Sequence, residues 1–298
     1  MLSTDISTRA MLASLKITAF SPSKVDKEAT SDLLMQAQAT DKKAAKVSKA
    51  LVPHDAMSEI RKINSEARAL HYELTLPWSK GGQAMLPSAV YQKYHSEMTR
   101  MEIEYEKAVL TFMADMPRYI QEASGRLGSL YKADDFPSLE DIKSKFSWEV
   151  VIEPMPKADD FRVNLSTELT EELKRQYQER ADKQVKDAAH SLWERASKVI
   201  EHMATSLEEY SVTEVDGKKK VSNTFHGSLV TNIKDLANLL PTLNVTADPA
   251  LDKLAADMLE RLTPYDAEEL KASVHVRNDV KKDARAILAE MQDRTGGY

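Results

Sequence analysis

The chain contains no cysteine, which excludes disulfides, thiolate metal sites and a cysteine nucleophile, and fits a reducing compartment. Glycine is scarce, at 8 residues in 298, and no glycine-rich phosphate loop can be drawn, because Ser79-Lys80-Gly81-Gly82 lacks P-loop spacing. Aromatic residues make up only 6%. No stretch approaches ~18 consecutive apolar residues, so no membrane-spanning helix is expected. The N-terminal region is interrupted by Asp5, Arg9 and Lys16, unlike a signal peptide. These absences together predict a cytoplasmic protein. Basic residues are also short in number, and a formal net charge of −6 argues against a duplex-DNA binder relying on bulk basicity while leaving room for a local basic groove.

Helix-forming residues are abundant instead. Ala, Leu, Glu, Lys, Gln and Met dominate, and 30% charged with 42% hydrophobic residues is the balance of a folding globular chain. The length allows one or two domains. The composition therefore predicts a mainly α protein.

Periodicity places the helices. Met57, Ile60, Ile63, Ala67, Leu70 and Leu74 recur in steps of three and four, a single stripe that Pro77 must end. After Pro87, Ser88 is a candidate N-cap. Tyr91, Tyr94, Met98, Met101, Tyr105, Ala108 and Phe112 then continue a 3-4 spacing long enough to specify helix-on-helix packing. Such a stripe is core or a partner seam, and Tyr91, Tyr94, Met98, Met101, Tyr105 and Phe112 are the candidate self-association residues.

From Ser166 or Thr167 the period holds to about Tyr210, a helix of about 60 Å at ~1.5 Å per residue. A hairpin with the Tyr91–Phe112 helix, or a dimer seam, would cover it. Further helices are predicted over 228–240, 249–262 and 267–291, punctuated by Pro241 and Thr263-Pro264. The lysine-rich stretch after Asp41 reads as a solvated helix face.

β signals are fewer. Leu15, Ile17 and Ala19 alternate with polar residues over 14–20. Phe146, Trp148, Val150 and Ile152 do the same, and after Pro154-Met155-Pro156 so do Phe161, Val163 and Leu165, which predicts a hairpin over 146–165. Being marginal alone, it should pack on helices or pair with the 14–20 strand. The predicted organisation is an α-rich region with this β element over 1–165, then the long helix and C-terminal helices over 166–298, packed either separately or as one unit with the first.

Chemistry is harder to find. His190 and Glu194 share a helix face, but nothing nearby completes a metal site. Asp134, Asp135, Glu140, Asp141 and Lys143 lie in a linker and a helix start rather than on adjacent strands, and acidic residues there compensate the helix dipole. No catalytic residue, cofactor or metal ligand is assigned. Two segments do mix aromatics with cations as single-strand base stacking requires: Arg68, His71, Tyr72, Trp78 and Lys80; and Trp148, Lys157, Phe161 and Arg162. Packing of these rings is the competing reading.

Arg68-x-x-His71-Tyr72-x-x-Thr75-Leu76-Pro77-Trp78, Tyr91-x-x-Tyr94, Leu127-Gly128, Asp135-Phe136-Pro137, Phe146, Pro154-x-Pro156 and Asp160-Phe161-Arg162-Val163 follow one another in a fixed order. As a set they resemble a family of uncharacterised proteins from tailed bacteriophages and prophages, over roughly residues 10–170. The resemblance implies a phage-encoded protein made in the bacterial host cytoplasm, and it carries no catalytic residue.

The expectation is thus a mainly α protein with long antiparallel helices, bundle-like or coiled-coil-like, and a small β-hairpin element. It should act without catalysis, by self-association as a homo-oligomer and by binding another phage or host protein. The alternative is a single-stranded nucleic-acid binding or annealing protein.

Overall fold

The computed structural model describes residues 6–79, 81–156, 167–215 and 218–295, and the chain is mostly helical, at 66%. In order, the chain forms strand β1 (Ala10–Thr18), strand β2 (Ser23–Val25), helix α1 (Lys27–Gln36), strand β3 (Ser48–Ala50) and helix α2 (Ser58–Leu74). Short strands β4 (Leu76–Pro77) and β5 (Gln83–Pro87) lead into helix α3 (Tyr91–Leu127), followed by α4 (Leu139–Lys143) and β6 (Ser147–Pro154). Helix α5 (Thr167–Glu209) precedes strands β7 (Ser211–Val215) and β8 (Lys218–Ser222). Helices α6 (Ser228–Leu243), α7 (Pro249–Leu262), α8 (Ala267–Ala272) and α9 (Val274–Thr295) complete the chain.

These elements divide into two compact units that interleave along the sequence, one of Met1–Ala13, Leu74–Gln92 and Ile152–Tyr298, the other of Ser14–Glu73 and Lys93–Val151. The partition differs from a single break at 165/166. Packing sorts the chain by which faces bury together, and the strand segments send it from one unit to the other more than once. A four-stranded sheet has the order β4-β5-β1-β6. The 146–153 alternation is thus a strand beside β1, one of the two pairings expected of it, while its predicted hairpin mate at 161–165 lies outside the described residues.

In the first unit, α5 packs chiefly against α9 and α6. Its buried residues start only at Ala188 and include Leu192, Ile200, Met203 and Leu207, all at most 2% exposed. Helix α7 begins where the sequence says it should: Asp248 accepts from the Ala250 amide and Pro249 occupies the first turn. The predicted helix over 267–291 is broken at Ser273, which is extended: the Asp266–Glu269 capping box opens the short α8, and at its far end the buried Arg277 guanidinium donates to the Leu270 carbonyl at 2.9 Å. Arg277 also lies 4.8 Å over the Tyr210 ring, which in turn meets Phe225 edge-on. Pro241, read as a stop, sits inside α6, whose last turn is held by the fully buried Leu240 and Leu243.

In the second unit, α2 and α3 bury the stripes their periodicity announced. Ile60, Ile63 and Ala67 are at most 2% exposed, and Leu76, the residue before Pro77, has left the helix for an extended strand. Pro117 lies within α3, which continues past it to Leu127. Ser88 opens a single 3₁₀ turn without a side-chain capping bond, so the helix start is set by Pro87 rather than by a serine cap. Strands β2 and β3 form a small antiparallel ribbon in register Lys24↔Lys49, tied down by Arg126, which donates to the carbonyls of Ala50 and Leu51. The stretch after Asp41 is a turn rather than a helix face: the Asp41 carboxylate accepts from the Lys43 amide at 2.8 Å and its carbonyl from the Ala44 amide, the local bonding that competes with helix.

Candidate functional site

The six seam residues come first, because the structure gives them to the interior. Tyr94, Met98, Met101, Tyr105 and Phe112 are between 1% and 3% exposed, and Tyr91 is half-buried. Phe112 meets Phe20 at 6.3 Å and the Phe146 edge at 5.7 Å; Tyr105 donates to the Thr18 carbonyl at 2.6 Å. The assignment of this stripe to self-association is therefore corrected: these side chains are covered by β1, α2 and the residues around β6 of the same chain. Burying one such side chain contributes about 1.5–3 kcal/mol, so the stripe cannot be vacated cheaply.

The two aromatic and basic segments are rearranged by the same packing. His71 is 5% exposed and shares a 2.8 Å hydrogen bond with the Tyr94 hydroxyl. Burial pushes the His71 imidazole down and the Tyr94 phenol up, which favours the neutral form of each. Trp148 is half-buried with its ring 5.4 Å from Tyr105, and desolvation pushes that phenol up to about 12. Seam and patch thus become one core: His71 with Tyr94, Trp148 with Tyr105.

Arg68 donates to the Ile17 carbonyl at 3.1 Å, and Trp78 is half-buried on the segment after α2. Among the described rings of these segments, Tyr72 alone stands well out, at 69% exposure. Lys80, Lys157, Phe161 and Arg162 lie outside the described residues.

A charged cluster that the sequence concealed sits in the second unit. Lys49, 4% exposed, donates to Asp26 Oδ2 and to the Leu130 carbonyl, both at 2.8 Å, and is ion-paired with Asp135. Lys24 reaches Asp135 at 2.9 Å. The Lys49 ammonium holds the Asp26 carboxyl down at about 2 and lowers Asp135 as well, while both carboxylates raise Lys49. Lys49, Asp26 and Asp135 each favour the charged form, so Lys49 is a structural cation rather than a nucleophile. The signal was faint: Lys49 stands between Val47 and Leu51-Val52, a lysine inside a short apolar run.

Among the described residues, no group of three or more His, Asp or Glu could hold a metal ion, and no helix is long and apolar enough to cross a membrane. His190 and Glu194 do approach, at 3.5 Å, as an ordinary i, i+4 pair.

Some large apolar side chains stand exposed among the charged ones. Ile103 and Leu110 on α3 are 62% and 64% exposed, and Met35 on α1 is 73% exposed. These outward residues, not the buried stripe, are the candidates for contact. Comparison with family models, curated proteins and solved structures finds no match for this chain.

Proposed function

We propose that the chain is a non-enzymatic accessory protein, phage-encoded as its motifs suggest, that works in the host cytoplasm by self-association and by binding another phage or host protein. The observation that carries this reading is the outward stripe of α3. Ile103 and Leu110 are seven residues apart, hence on one face, and both are mostly exposed on the side away from Met98, Met101 and Tyr105. Two large aliphatic side chains at that spacing are a starting seam for a second helix. Glu102 and Lys107 flank them on opposite sides, five residues apart, the offset at which a parallel copy would set Glu102 of one chain against Lys107 of the other. In this reading the long helices α5 and α9 run antiparallel, with Glu208 paired to Arg285 and Trp193 sharing a pocket with Met291.

Light scattering across a concentration series tests the proposal. Wild type should reach at least twice the monomer mass, and Ile103→Glu/Leu110→Glu should return it to the monomer with unchanged melting. A wild-type monomer at every concentration would sink self-association. The exposed Tyr72 favours the second reading, single-stranded nucleic-acid binding, since one stacked base contributes ~1–3 kcal/mol. Salt-sensitive oligonucleotide binding by the same wild-type monomer, lost in Tyr72→Ala, would put that reading first.

A further inference from the structure

Helix α1 is anomalous: none of its residues is buried. A surface helix ordinarily hides an apolar stripe, and α1 has the residues for one in Leu33, Leu34 and Met35. Its position is fixed by polar bonds instead. Asp26 caps its first turn, accepting from the Ala29 amide at 3.0 Å, and belongs to the Lys49 cluster; Thr30 Oγ1 donates to the Asp26 carbonyl and accepts from the Val47 amide. After Met35 the chain turns back, with Gln38 at φ 50° and the Ala39 amide bonded to the Leu34 carbonyl. That reversal lays Ala39 and Lys42 alongside the helix.

The result is an open groove of about 470 Å³, within the range of about 300–1,000 Å³ usual for binding clefts. Val25, Leu34, Met35 and Ala39 line it together with Lys27 and Lys42. No carboxylate lines it. Of the acidic groups nearby, Asp26 is paired with Lys49, Glu28 with Lys132, and the Asp41 carboxylate accepts from the Lys43 amide, while Asp32, on α1, is not among the residues lining the groove. Among the described residues neither Lys27 nor Lys42 makes an ion pair. Residues 24–49 hold six lysines against four carboxylates in a chain that is otherwise acidic, with 41 Lys and Arg against 47 Asp and Glu.

We propose that this groove is a docking site for an acidic amphipathic helix of a partner protein. Its apolar side chains would cover Leu34 and Met35, and carboxylates flanking them would meet Lys27 and Lys42. The helical mode follows from the walls, which are the side chains of a helix and a turn, so recognition comes through anchors spaced i, i+4 and i+7. Methionine suits this lining because its flexible thioether adapts to the shape of the incoming chain. The two lysines add selectivity for sign and speed the encounter. This surface is separate from the α3 stripe and stands whether or not the chain self-associates.

The test is fluorescence anisotropy with a labelled synthetic helical peptide of about sixteen residues, bearing leucines at i, i+4, i+7 and i+11 with glutamates on both flanks. Its counterpart has lysine at each glutamate. The full chain should bind the glutamate peptide and not the lysine peptide, more weakly as salt rises. Lys27→Glu/Lys42→Glu should weaken binding at least tenfold, and so should Met35→Asp; all three positions border an open groove, so the fold survives. Ile103→Glu/Leu110→Glu should bind as wild type does. Equal binding of both peptides, no binding of the glutamate peptide, unchanged affinity in the groove variants, or loss in the α3 variant would each overturn the assignment. Phosphatidylserine vesicles captured through Lys27 and Lys42 in preference to the peptide would make the site a lipid contact and overturn it as well.

Discussion

The two units bury different chemistries. Around α5 the interior is mainly aliphatic, with Trp193, Tyr210 and Phe225 set into it: Leu192, Ile200, Met203, Leu240, Leu254 and Met258 are all at most 5% exposed, and the one charged side chain buried there among the described residues, Arg277, is satisfied by a backbone carbonyl and an aromatic face. The unit around α2 and α3 also buries Ile60, Met101 and Phe112, but sets among them Lys49 with Asp26 and His71 with Tyr94. Aliphatic packing is tolerant of partner and indifferent to pH. A buried polar pair requires a specific partner and a specific protonation state, and removing one member leaves the other stranded. The first unit should therefore respond to volume and the second to charge.

Volume is tested most sharply at Leu192, 1% exposed in the middle of α5. Leu192→Ala removes three buried carbons and leaves a cavity, at about 3 kcal/mol within a usual range of about 2–5. Melting should show that loss unchanged between pH 5 and 8, because no titrating group is involved. A pH-dependent deficit would mean the two interiors are less distinct than their residues imply.

Charge is tested at Lys49. Lys49→Met keeps the stem and deletes the ammonium, leaving Asp26 and Asp135 without their principal cation, and melting should fall by roughly 5 °C or more near neutrality. The acid limb gives the sign. Asp26 ionises at about 2 in the folded chain against 3.8 ordinarily, so its contribution is complete above 3.8 and is lost as pH falls toward 2. Wild type should thus weaken across that window. The variant gains relief from protonating its stranded carboxylates, so its deficit should narrow there; a deficit constant down to pH 2 would show that the cluster is not held by Lys49.

The same contrast explains how much could be read from the sequence. Helix α7 was legible from Asp248-Pro249 to Leu262 because its cap, first turn and stripe are all local. The stripe on α3 was legible as a buried face, but not what covers it: a 3-4 repeat says that a face is hidden and cannot say whether a second copy or Phe20, Phe146 and Trp148 of the same chain hide it. Lys49 was illegible for a related reason. Its burial depends on Asp135 and the Leu130 carbonyl, far along the chain, and a lysine-rich stretch taken alone looks solvated. The turn after Asp41 escaped because lysine and alanine favour helix, whereas one aspartate bonding its own backbone was enough to prevent it.

The smallest effect separates hydrogen bonding from burial at His71. Tyr94→Phe deletes the hydroxyl bonded to Nδ1 inside a buried site, at about 1–3 kcal/mol. The pH response of wild type has its own cause. Burial lowers the His71 pKa below its ordinary 6.5, so the unfolded chain takes up a proton first as pH drops. Stability from this group is complete above 6.5 and declines as pH falls toward the folded value. Because desolvation rather than Tyr94 sets that shift, phenylalanine at position 94 should leave it in place. Melting from pH 8 to 5 should give two parallel curves, the variant beneath wild type throughout. Curves that converge toward pH 5 would mean that the hydroxyl, and not the apolar surroundings, keeps His71 neutral, and the polar character of this interior would then reside in one bond.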